Sequence, residues 1–184
     1  MKNRYILGGL IVLLGVLLWT QRIISINQDN PTTYNYRLNQ SISLDQVTLV
    51  PKDAYYLSAQ DVMSRFQISG ELFESSDVQN SKYILLQSKV VNHSKDDMEW
   101  KDVFSEFGSG FETKTWAGQS FSALASKINI LKTDKLYAGQ EQDIWFVSQV
   151  DPGCFKKRTW ERLNVSMFRY VLRLEPEKIV IKLG

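Results

Sequence analysis

The chain holds one histidine and one cysteine, His93 and Cys154, 61 positions apart, and Arg158, Arg162 and Arg169 follow the cysteine. Those residue types in that order could carry acyl transfer. A thiolate attacks an acyl carbon, an imidazolium protonates the leaving amine, and a guanidinium steadies the oxyanion. The residues around the thiol argue against it. Val150-Asp151-Pro152-Gly153-Cys154 reads as a turn, and one His and one Cys fall at some spacing in any chain. His93 is read as a turn residue and Cys154 as a structural or incidental thiol.

Sortase-like cysteine transpeptidases are small, anchored and β-rich, and they carry Thr-Leu-x-Thr-Cys at a strand end. This chain lacks that motif, so such an enzyme, using His93 and Cys154, stands only as the alternative function. A Ser/Lys signal peptidase would need Ser-Met-x-Pro soon after a membrane span. Ser166-Met167-Phe168-Arg169 lies far downstream and lacks the proline. No catalytic residues are assigned.

A second cluster could bind. Lys156, Lys157, Arg158 and Arg162 flank Phe155 and Trp160. Read as a short helix over 155–163, this segment turns its aromatics inward and its cations to solvent. Lys156, Lys157, Arg158, Trp160 and Arg162 form the candidate binding patch, suited to anionic lipid head groups or wall polymers. Asp96, Asp97, Glu99 and Asp102 lack the spacing and glycine of a calcium loop, so they read as a solvated acidic turn. No metal and no cofactor is expected.

The position of these residues relative to a membrane follows from the start of the chain. Lys2 and Arg4 precede YILGGLIVLLGVLLW, residues 5–19, a run without charge. At ~1.5 Å per residue it covers about 22 Å, and counting on to Ile26 gives about 33 Å, enough to span if Arg22 snorkels to the head groups. Tyr5, Trp19 and Arg22 are the expected anchor residues at the interfaces. The basic start places the N-terminus in the cytoplasm and the rest outside. No Ala-x-Ala site follows the run and no cysteine stands just after it, so the segment reads as an uncleaved signal anchor.

Lysine and arginine number 22 against 20 acidic residues, a net charge of +2 that gives no case for nucleic acid. Five Trp, eight Tyr and nine Phe supply a core. A single cysteine excludes an internal disulfide, which suits a bacterial surface better than a eukaryotic secretory route.

The organisation expected is a cytoplasmic tip and anchor over 1–26, a polar stalk over 27–40 containing Pro31, and one domain over 41–184. Within it, 41–50 alternates with a phase slip at Asp45-Gln46, and Pro51 ends that strand. Ser58 caps a short helix to Phe66 with Asp61 as capping acid. The segment 82–91 (KYILLQSKVV) is the clearest strand, and Asn92-His93-Ser94-Lys95 its turn. The segment 98–107 fits a helical turn or an irregular strand equally. Strands follow over 143–150, 165–174 and 178–183. Short strands separated by turn signals argue for a sandwich.

Three segments, 83–94 (YILLQSKVVNHS), 136–150 (LYAGQEQDIWFVSQV) and 170–183 (YVLRLEPEKIVIKL), carry a resemblance. They are similar to the telokin-like immunoglobulin-type domain of small, membrane-anchored surface proteins of Gram-positive bacteria. The resemblance covers about the last hundred residues and implies an immunoglobulin-like antiparallel β-sandwich behind one N-terminal transmembrane helix. It implies no activity. The expected function is therefore that of a single-pass envelope protein, its C-terminal domain extracellular, that binds or builds. Its expected partners are the lipid bilayer and another envelope protein or an anionic wall polymer, and no nucleic acid.

Overall fold

The structure is a computed structural model that describes residues 32–73, 80–108, 110–131, 133–174 and 176–184. The expected anchor, with Tyr5, Trp19 and Arg22, and the stalk residues before Thr32 lie outside the described residues. No helix among the described residues is long and apolar enough to cross a membrane.

In chain order the strands and helices are β1 (Thr33–Arg37), β2 (Ile42–Leu44), β3 (Val47–Ser58), α1 (Ala59–Phe66), β4 (Lys82–Asn92), β5 (Met98–Glu99), α2 (Trp100–Phe107), β6 (Gly110–Glu112), β7 (Ala117–Gly118), α3 (Ser122–Ile128), β8 (Lys135–Leu136), β9 (Glu141–Val150), α4 (Lys157–Trp160), β10 (Arg169–Arg173) and β11 (Lys178–Lys182). They build a five-stranded sheet ordered β1-β11-β10-β6-β7, a four-stranded sheet ordered β2-β3-β4-β9, and a ribbon of β5 and β8.

Period-two alternation puts Ile84, Leu86, Ile144 and Phe146 of the four-stranded sheet against Phe111, Tyr170, Ile179 and Ile181 of the other, in one core. The Phe146 and Tyr170 rings meet across it at 4.8 Å. The intervening residues Tyr83, Leu85 and Val147 face the opposite way and are covered by Val62 of α1 and Leu124 of α3. Both faces of the sheet are covered at this end, which is why residues 83–86 of β4 are apolar without a break. The mainly β sandwich expected from the strand pattern is present, with helices added on one face.

Several expectations hold in detail. The phase slip at Asp45-Gln46 is the tight turn between β2 and β3, with Asp45 at φ 40°. Ser58 caps α1 in a capping box: its hydroxyl accepts from the Asp61 N–H at 3.2 Å, and the Asp61 carboxylate accepts from the Ser58 N–H at 3.3 Å. The ambiguous segment 98–107 is both things in succession, a two-residue strand and then a helix.

Others are corrected. Pro51 does not end its strand. It sits at a bulge between Pro51 and Asp53, where a residue without an N–H costs no ladder bond, and β3 continues to Ser58. The segment expected as stalk contributes β1, whose described residues pair in parallel with β11 from Thr33↔Lys178 to Arg37↔Lys182. Tyr34 and Tyr36 alternate with polar residues there, so the run looks polar while following a strand's period. The sandwich is thus antiparallel except for this pair. In 165–174 the first residues form a 3-10 turn, Val165–Met167, capped by Asn164, and the strand begins only at Arg169.

Candidate ligand-binding face

The acyl-transfer geometry is absent. β4 and β9 pair antiparallel from Lys82↔Val150 to Val91↔Glu141. His93 follows β4 at one end of this ladder, and Cys154 follows β9 at the other. At ~3.4 Å per residue the two ends lie about 30 Å apart. Both side chains are exposed, so His93 and Cys154 cannot share a proton or a substrate carbonyl, and the sortase-like assignment of this pair is corrected.

The basic patch is built from the chain leaving β9. Asp151 accepts from the Gly153 N–H at 2.6 Å and caps the 3-10 turn Pro152–Cys154. The next turn is α4. Its Trp160 ring stands 6.1 Å from Phe155, Phe155 stands 6.1 Å from Trp116, and Trp116 meets Phe168 edge-on at 5.9 Å. Tyr56 continues the chain at 5.2 Å from Phe168. Lys82 closes it, its ammonium 5.1 Å from the Tyr56 ring and 5.5 Å from that of Trp160.

This packing turns Lys156, Lys157, Arg158 and Arg162 outward. All four are exposed, and none pairs with a carboxylate among the described residues. Trp160 packs inward, as the helix reading expects: it is half-buried and serves as the seat of α4, beneath the patch cations rather than beside them. Trp116 is half-buried as well, and Trp100 is only 6% exposed. The face is cationic, with its aromatics beneath. The Tyr56 hydroxyl is buried without a hydrogen-bond partner among the described residues, and desolvation pushes its pKa up to about 12.

A second cationic feature adjoins it and was not found from sequence. The strand register places Arg37 beside Lys182, Lys182 beside Arg169, and Arg169 beside Glu112. Three cations and one carboxylate thus form a row across four neighbouring strands. Glu112 answers Arg169 at 3.2 Å and also Lys178 at 3.4 Å, leaving Arg37 and Lys182 without a carboxylate among the described residues. The row borders an open cleft of about 590 Å³, lined in part by Lys114, Phe155, Leu163, Met167 and Phe168. Strand alternation could have suggested that these cations point outward. Their register needs a parallel pairing between the two ends of the domain, which no local pattern announces.

The acidic residues do not converge. Glu99 pairs with Lys101 at 2.6 Å, which holds its carboxyl below the usual range, and Asp97 accepts from the Ala138 N–H at 3.1 Å. No group of three metal-ligating side chains occurs among the described residues. Asn92, at the turn carrying His93, is a structural hub. Its amide donates to the Asp96 and Leu136 carbonyls at 2.9 and 3.0 Å, and its oxygen accepts from the Ser94 N–H and hydroxyl at 2.9 and 2.7 Å. It ties the 92–96 turn to the 136–140 loop.

No protein-family model matches the chain, and no curated protein matches it. Among solved structures it is similar to a conserved hypothetical protein from Bacillus anthracis, at 13% identity over 80% of this chain and 95% of that one, with a TM-score of 0.48. It is similar to an uncharacterized β-sandwich protein from Clostridium difficile 630, at 10% identity over 83% and 96%, with a TM-score of 0.49. A functionally unknown protein from Listeria monocytogenes is similar at 13% identity over 78% and 80%, with a TM-score of 0.45. At such identities and scores these likenesses carry no argument about what the chain does.

Proposed function

We propose that this chain is a tethered binding protein of a bacterial envelope, whose α4 face engages an anionic wall polymer. Residues 1–26 act as an uncleaved transmembrane anchor with the N-terminus in the cytoplasm, and the sandwich works outside as an immunoglobulin-like domain of the telokin-like type on a Gram-positive cell. The anchor reading is supported by the uncharged run at 5–19 behind Lys2 and Arg4, with no cleavage motif after it.

One observation carries the binding reading. Lys156, Lys157, Arg158 and Arg162 stand within one short segment, exposed and without a carboxylate partner among the described residues, over aromatics that fix the segment in place. Like charges held together on a rigid base repel one another, and a polyanion removes that cost. A wall polymer of phosphodiester units offers repeated charges to such a strip.

The test is co-sedimentation of the full chain with purified cell walls, before and after removal of their phosphate polymers. Retention should fall when the polymer is removed and when the four cations are reversed to Glu. Retention unchanged by both treatments contradicts the polymer, and crosslinking in intact cells would then point to a protein partner instead.

A further inference from the structure

We infer that the row Arg37–Lys182–Arg169 and the cleft beside it bind the phosphate and the apolar body of an anionic amphiphile. The choice of a membrane lipid as its source rests on the proposed tether, whereas the anion site does not.

Neighbouring strands lie ~4.8 Å apart, and like charges directly opposite one another across strands destabilise a sheet. Arg37 faces Lys182 and Lys182 faces Arg169 in consecutive pairs. Among the described residues the row's ion pair is to Glu112, which is already shared between Arg169 and Lys178. Lys114, at the turn after β6, adds a further exposed cation at the cleft. A sheet that needed these positions only to be soluble could mix signs, as β4 and β9 do with Lys89 and Glu141 at 2.7 Å. A phosphate group spanning two of the row's side chains would relieve the repulsion through charge-assisted bonds.

Arg169 and Lys182 line the cleft together with Phe155, Leu163, Met167 and Phe168. Met167 is 47% exposed, a large apolar side chain left in water at the same place. A volume of about 590 Å³ falls in the ordinary range for sites that enclose a small ligand. Cations beside an apolar bed fit neither a bare anion, which gains nothing from the bed, nor a neutral lipid, which gains nothing from the cations. They fit one phosphate joined to a short stretch of hydrocarbon.

The experiment uses the full chain in phosphatidylcholine nanodiscs, titrated calorimetrically against empty discs. The probes are dihexanoyl phosphatidylglycerol, dihexanoyl phosphatidylcholine and glycerol 1-phosphate. The anionic lipid should bind about tenfold tighter than either of the others, as loss of one charge pair or of the apolar contact would give. Arg37→Gln with Lys182→Gln should weaken it about tenfold, and Met167→Asp should weaken it while leaving glycerol 1-phosphate unchanged. Lys182→Gln alone should also raise the unfolding temperature of the ligand-free chain, because it removes a like-charge pair. Changing Lys156, Lys157, Arg158 and Arg162 to Gln should lower wall-polymer retention far more than lipid binding, whereas Arg37→Gln with Lys182→Gln should do the reverse, which separates this site from the α4 face. Equal binding of glycerol 1-phosphate and the lipid overturns the amphiphile. No binding by any probe, or binding indifferent to the Arg37 and Lys182 substitutions, overturns the site.

Discussion

The Trp160 ring lies 6.1 Å from that of Phe155, and this contact fastens the four-residue helix α4 to the sandwich. A helix this short has no stability of its own. Its shape, and with it the outward aim of Lys156, Lys157, Arg158 and Arg162, depends on aromatic packing through Phe155, Trp116 and Phe168. Trp160→Ala should therefore destabilise the domain by about 2 kcal/mol, below the range for a fully buried aromatic because the ring is half-buried. It should also loosen the cation strip. Denaturant unfolding measures the first effect, and amide exchange over 155–163 the second.

Tyr56 carries an opposite prediction. Its hydroxyl is buried without a partner among the described residues, so Tyr56→Phe should raise stability at neutral pH by on the order of 1 kcal/mol. Its pKa is pushed from 10.0 to about 12 by burial. A raised folded pKa means stability that is fully present below pH 10 and is lost as pH climbs toward about 12. Tyr83 is shifted in the same direction to about 12, also by desolvation. Thermal melts across that alkaline window should fall for the wild type and fall less steeply for Tyr56→Phe.

Asn92 should be intolerant. It is fully buried, and all of its side-chain hydrogen-bonding positions on the 92–96 turn and the Leu136 carbonyl are used. Asn92→Ala strands several buried groups at once, at about 1–3 kcal/mol for each one left unsatisfied. A loss of about 3 kcal/mol in urea titration is expected, with 92–96 and 136–140 losing exchange protection together.

Gly110 sets the start of β6. Its φ of 126° is one that L side chains rarely adopt, and a Cβ there would stand 2.4 Å from the Gly118 carbonyl oxygen. Gly110→Ala should cost about 2 kcal/mol or more and disturb the β6–β7 pairing beside the cleft. The difference in denaturation midpoint between Gly110→Ala and wild type checks it.

Much of the fold was legible because local patterns control it. The apolar run at 82–91, the capping box at Ser58 and Asp61, and the slip at Asp45-Gln46 each fix an element by short-range chemistry. The turn expected at Asn92 to Lys95 is tied to the distant 136–140 loop through one side chain, a link that the turn sequence alone does not announce. What was hidden is non-local. TYNYR over Thr33–Arg37 looks like polar linker until β11, far along the chain, supplies its partner. The same pairing creates the Arg37–Lys182–Arg169 row, so part of the candidate site was illegible for the same reason. The α4 cations were legible as a charge cluster over inward aromatics, but the partners of Trp160 were not, since Trp116, Phe168 and Tyr56 reach it through Phe155 from distant strands and turns. The interval between His93 and Cys154 carried no chemistry, because spacing along a chain says nothing about the ends of an antiparallel ladder.

The most direct measurement is the salt dependence of binding between the full chain and a soluble poly(glycerol phosphate), compared between wild type and the variant with Lys156, Lys157, Arg158 and Arg162 changed to Gln. Binding through these four cations releases counterions from the polymer, at about 0.7 per contact for a flexible polyanion. Wild-type affinity should fall steeply as salt rises, and the variant's log–log slope should be shallower by about 3. Equal slopes for the two proteins, or wild-type binding indifferent to salt, would contradict the claim that this face holds an anionic polymer.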